Sequence, residues 1–93
     1  MPVTFRIPTY LATFADGASS IALESGAATV QDALSALWHQ CPALRDRIVD
    51  EQGEVRQHIN IFVGNECIRF TGGLTTPVPD GSEILIVPAV SGG

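Results

Sequence analysis

Ser82-Glu83-Ile84-Leu85-Ile86-Val87 runs directly into Pro88-Ala89-Val90-Ser91-Gly92-Gly93. Side chains alternate across an extended strand, so Ile84 and Ile86 share one face and Leu85 and Val87 the other. A strand that is apolar on both faces belongs in the middle of a sheet rather than at its edge. The residues after Pro88 then leave that central strand as a tail.

Working back from it, His58-Ile59-Asn60-Ile61-Phe62-Val63 reads as another strand, with Ile59, Ile61 and Val63 on the core side and Phe62 opposite. Gly64-Asn65 supplies a tight reversal. Cys67-Ile68-Arg69-Phe70 follows as a short strand, and Gly72-Gly73, Pro77 and Pro79-Asp80-Gly81 break the stretch after it. Asp50 to Gln57, polar and containing Gly53, is a surface loop. Further upstream, Val30, Ala33, Leu34, Leu37 and Trp38 recur at helical spacing and form one apolar stripe. Thr29 is positioned to cap that helix, with Asp32 in its first turn. Pro42 ends it near Cys41 and opens a turn that tucks in Leu44 and Ile48. At the start of the chain, Val3 to Ile7 alternates with period two, and Ser20 to Glu24 is a second short strand. The Thr13–Ser20 loop joins them into a hairpin.

The order is strand, strand, helix, strand, strand, strand. It predicts an α+β fold, the ubiquitin-like β-grasp, with a mixed sheet, one main crossover helix and a protruding Gly-Gly tail. Residues 1–93 suffice for one domain, with 89–93 as a flexible tail. A single helix covers a single sheet face. The other face should therefore expose an apolar patch beside the tail, with Phe62, Leu85 and Val87 as candidate docking residues. The alternative is that the Thr13–Ser20 loop folds over them.

Ninety-three residues, 45% of them hydrophobic, make a core that needs no disulfide or metal staple. They leave no room for a two-lobed catalytic cleft, which favours a carrier, binding module or subunit over an enzyme. A net charge of −5 and only five basic residues argue against nucleic acid as a partner. Such a chain is suited to a basic groove on another protein, or its charge simply keeps it soluble. No secretory leader or membrane span is visible, and two cysteines are too few for a disulfide scaffold, so the cytoplasm is the expected location. His39 with Cys41, and His58 with Cys67, lack the ligand number and spacing of a zinc site, so no metal is expected. Cys67 has no readable base and reads as a small buried hydrophobe. Asp46, Asp50, Glu51 and Glu54 read as solvated charges.

The tail carries the chemistry. A main-chain carboxylate is a poor electrophile, and making it react requires activation, normally by ATP as an acyl-adenylate. Two residues without Cβ let a tail thread a narrow channel and adopt angles closed to other residues. That singles out the Gly93 carboxylate as the reacting group, with Val90, Ser91 and Gly92 as the threading segment. Gly72-Gly73 has no free carboxylate and reads only as a loop.

Three stretches resemble the MoaD/ThiS family of ubiquitin-like sulfur carriers. They are Asn60-Ile61-Phe62-Val63-Gly64-Asn65-Glu66, Ile68-Arg69-Phe70 with Gly72-Gly73-Leu74, and Asp80-Gly81-Ser82-Glu83-Ile84 through to Gly93. The resemblance spans essentially the whole chain and is nearest to the cysteine-biosynthesis carriers. Ser91 stands where Ala is common in the family, and its small side chain threads equally well. The resemblance implies that a ubiquitin-activating-type adenylyltransferase/sulfurtransferase adenylates Gly93 with ATP and converts it to a thiocarboxylate. The acceptor enzyme would be cysteine synthase-like and use pyridoxal phosphate, with a metalloprotease releasing the product. The alternative acceptor is the large subunit of molybdopterin synthase. On either route the chain itself binds no cofactor and catalyses nothing. Two further readings stand beside these: a ubiquitin-like modifier joined to lysines through Gly93, and a β-grasp interaction domain with an inert tail.

Overall fold

The computed structural model describes residues 2–23 and 27–88. Its strands are β1 (Thr4–Arg6), β2 (Ser20–Ala22), β3 (Ile59–Val63), β4 (Glu66–Cys67) and β5 (Glu83–Pro88). Its helices are α1 (Thr9–Ala12), α2 (Val30–Gln40) and α3 (Arg45–Ile48), with short 3-10 turns between elements. The sheet order is β2-β1-β5-β3-β4, which puts the doubly apolar final strand at the centre. There it pairs parallel with β1, Phe5 opposite Ile84, and antiparallel with β3, Ile61 opposite Ile86. The initial hairpin forms as read, with Phe5 opposite Ile21.

One face of the sheet is sealed. Phe5, Ile21, Ile59, Ile61, Ile84 and Ile86 are all buried beneath Val30, Ala33, Leu34 and Leu37 of α2. The helix starts where the sequence sets its cap: the Thr29 Oγ1 accepts the Asp32 N–H at 3.3 Å. It stops at Gln40, ahead of Pro42. Pro42–Leu44 forms a 3-10 turn that runs into α3 and buries Leu44 and Ile48 completely.

Three local expectations need correction. Thr13–Ser20 is not simply a loop. Residues 9–15 form α1 and a 3-10 turn, because Leu11 and Ala15 reach the core and bury there. This segment packs beside the Pro42–Leu44 turn, on the helix side, and does not fold over the open face. Cys67–Phe70 is not a strand. Pairing ends at Cys67, Ile68 turns into the core, and residues 68–70 form a 3-10 turn. Finally, Asp50 is more than a solvated charge. Its Oδ1 accepts the Gln52 and Glu54 N–H groups at 2.9 and 3.0 Å, which shapes the reversal joining Val49 to Val55.

Thr29→Ala should lower stability by about 1 kcal/mol through loss of the helix cap. Ile86→Ala, at the sheet centre, should cost about 2–5 kcal/mol by leaving a cavity. Urea unfolding of the two variants beside the parent chain checks both values and their order.

Candidate functional site

Residues directly opposite in a ladder share a face, so the pairing register defines the uncovered side of the sheet. On β5 it presents Glu83, Leu85 and Val87. Beside them stand Thr4 and Arg6 of β1, Asn60 and Phe62 of β3, and Cys67 of β4. Each of these is half-buried or exposed, whereas the core-side residues of the same strands are buried, save Val63, Glu66 and Pro88 at the strand ends. Phe62 lies directly opposite Leu85, and Val87 is opposite Asn60. The three candidate docking residues thus form one continuous apolar strip. Arg6 and Glu83 flank it, Nε to Oε2 at 3.6 Å, each side chain more than half exposed. Such a pair adds little stability and marks the strip's polar border.

The strip ends at the root of the tail. Pro88, opposite Ile59, is the last residue of β5. Proline has no N–H to extend a ladder, so pairing stops there. Val90, Ser91, Gly92 and Gly93 lie outside the described residues.

A second group of residues borders this root. The Arg69 guanidinium donates from Nε to the Asn60 Oδ1 at 2.8 Å, and from Nη2 to the Ile59 and Gln57 carbonyls at 3.1 and 3.3 Å. It therefore satisfies the edge of β3 where a longer β4 would have run, which is why that strand is short. The chain then turns sharply. The Thr71 and Thr76 hydroxyls meet at 3.0 Å, and Thr76 Oγ1 donates to the Gly73 carbonyl at 2.7 Å. Gly72 sits at φ 120°, and a Cβ there would come within 3.2 Å of the Thr75 hydroxyl. Gly72-Gly73 is thus a turn element, as its internal position implied. Phe70, on this turn, is 87% exposed. With Gln57, Asn60, Phe62, Asn65, Cys67 and Arg69 it frames a depression of about 590 Å³ on the open face.

Cys67 is correspondingly half-buried in the outward row opposite Phe62, not a core residue. Cys41 lies at the end of α2, where burial first and the Asp16 carboxylate second push its thiol up, so it is a poor thiolate nucleophile. Among the described residues no group of three His, Cys, Asp or Glu side chains is placed to hold a metal ion. No helix among them is long and apolar enough to cross a membrane. Sequence reading missed Arg69 and Phe70 as site residues, having placed them inside a strand. The adjoining Gly72-Gly73 was the available signal that the chain turns there.

The sequence model of the ThiS family matches residues 5–93, which takes in β1 through β5 and the Gly92-Gly93 end. The chain belongs to the ThiS family. This ThiS-family chain is 35% identical to the sulfur carrier protein CysO of Mycobacterium tuberculosis over the whole of both chains. It superposes with a TM-score of 0.85 on a chain of the Amycolatopsis orientalis BexX/CysO complex, at 37% identity, covering 98% of this chain and 99% of that one. The SAMP1 structure from Haloferax volcanii gives a TM-score of 0.80 at 33% identity, covering all of both chains. The fold of this ThiS-family protein is the ubiquitin-like β-grasp.

Arg69→Ala should lower stability by about 1–3 kcal/mol, because it strips partners from Asn60 and the Ile59 carbonyl. Arg69→Lys should recover only part of the loss, since a lysine lacks the planar fork. Thermal or urea unfolding of both variants measures the difference.

Proposed function

We propose that this protein is a sulfur carrier whose Gly93 carboxylate is the group that is loaded and discharged. The observation that carries the reading is the 35% identity with the sulfur carrier CysO across the full length of both chains. The family match extending through residue 93, behind a central strand that anchors the tail, supports it.

The chemistry runs in two steps. The Gly93 carboxylate oxygen attacks the α-phosphorus of ATP, forming an acyl-adenylate and releasing pyrophosphate. Hydrosulfide supplied by a sulfur donor then attacks the acyl carbon and AMP leaves, which gives the thiocarboxylate directly. A ubiquitin-activating-type enzyme supplies the catalysis for both steps. The thiocarboxylate sulfur is next the nucleophile in an acceptor enzyme. Cysteine biosynthesis is the favoured destination, with a cysteine synthase-like acceptor using pyridoxal phosphate and a releasing metalloprotease. The large subunit of molybdopterin synthase is the alternative acceptor. The chain itself supplies the tail and a docking strip built on Phe62, Leu85 and Val87, and acts in the cytoplasm as a co-substrate.

A second reading has its own support. Small archaeal modifier protein 1 of Haloferax volcanii is 40% identical to this chain over 68 residues, 73% of this chain and 74% of that one. A modifier would use the same adenylate but pass Gly93 to a lysine amine.

Intact-mass measurement separates the readings. With ATP, an activating enzyme and a sulfur donor, the carrier should gain the mass difference of sulfur for oxygen, and a variant lacking Gly92-Gly93 should gain nothing. Covalent ladders on other proteins in place of that gain would establish the modifier. Retained pathway function after removal of Gly92-Gly93 would mean an inert tail. Phe62→Ala should weaken binding to the activating enzyme with folding unchanged, and normal binding would remove Phe62 from the docking strip.

A further inference from the structure

Phe70 presents a problem of physical chemistry. It sits in water although every core residue of the molecule is almost fully sealed, and beside Tyr10 it is the only exposed large hydrophobic side chain among the described residues. A loose loop would explain such exposure, but this turn is tied down. Arg69, its immediate neighbour, spends two hydrogen bonds on β3 and a third on the Gln57 carbonyl ahead of it, and Thr71 is bonded to the Cys67 carbonyl and the Thr76 hydroxyl. Gly72 adopts an angle that few other residues could hold. The backbone that presents the ring to solvent is therefore fixed.

Its location is specific. Arg69 grips the Ile59 carbonyl, and Ile59 is the residue opposite Pro88, from which the tail departs. Phe70 and Phe62 both line the depression, which joins the turn to the Phe62–Leu85–Val87 strip. A protein that takes up the chain beyond Pro88 while resting on this strip would lie beside the turn that carries Phe70.

We infer that Phe70 is a docking anchor that determines recognition by the adenylating enzyme, filling an apolar socket at the rim of the channel that receives the tail, with Arg69 as the residue that positions it. The inference rests on the sulfur-carrier reading and adds its partner contact. An aromatic side chain on a backbone already held in place has only two torsions to order on binding, which suits it to serve as a hot spot. Burying it is worth about ten- to a hundredfold in affinity. A second copy of this chain is the disfavoured occupant, because it would sit across the tail root and both copies carry a charge of −5.

The test uses the full chain, the activating enzyme that charges it, ATP and sodium sulfide, with thiocarboxylate followed by intact mass. Phe70→Ala should raise the carrier's KM about tenfold or more while leaving kcat and the thermal midpoint unchanged, and Phe70→Tyr should restore most of the KM. Arg69→Ala should raise KM in the parent background and add nothing in the Phe70→Ala background, because it acts through the ring. An unaltered KM for Phe70→Ala with normal charging of the parent would overturn the anchor and leave the carrier reading intact. A parent chain that never acquires sulfur would overturn both. Light scattering that shows Phe70→Ala dissociating a dimer, with KM unchanged, would assign the ring to self-association and also overturn the inference.

Discussion

The double pairing of β5 organises everything else in the molecule. Its backbone bonds to β1 on one side and β3 on the other, so the hairpin and the second half of the sheet meet only through it. Its core-facing isoleucines lie beneath α2, and its opposite face carries Leu85 and Val87. The strand that closes the core is also the strand that continues into the tail. A tail rooted in the centre of a sheet starts from a fixed point and direction, which a tail on a frayed edge strand would lack.

The same strand explains why so much of the architecture is legible in the sequence. Four consecutive apolar residues, Ile84 to Val87, admit few positions other than the sheet centre. The stripe from Val30 to Trp38 with a Thr29 cap leaves little doubt about the helix. Elements of this kind are written in local periodicity. α1 is not, because a single turn offers only the Leu11–Ala15 spacing and no full period to recognise. The stretch Cys67–Phe70 misleads for a different reason. Its composition suits a strand, but Arg69 finds partners nine to twelve residues back, at Asn60, Ile59 and Gln57. No local pattern reports a contact of that range.

The candidate site divides along the same line. The grouping of Phe62 with Leu85 and Val87 follows from strand parity and survives in the structure. The outward placement of Cys67 and Phe70 does not follow from it, since it depends on where pairing stops. The Gly92-Gly93 end is proposed from its chemistry, as two side-chain-free residues behind a core strand, and lies outside the described residues. An open apolar strip, a rigid aromatic turn and a polar border of Arg6, Glu83 and Arg69 together make a surface with a defined edge next to the tail root.

Parallel pairing of residues 4–6 with residues 83–85 also governs how the molecule is made. The first strand emerges from the ribosome long before the strand that completes it, and until then β1 and β3 flank an empty slot with unpaired edges. Contacts of such long range form late. A chain lacking the last dozen residues would therefore lack β5 and leave the facing edges of β1 and β3 unpaired. A copy whose native sheet is complete has therefore been extended at least as far as Pro88, the residue from which the tail departs.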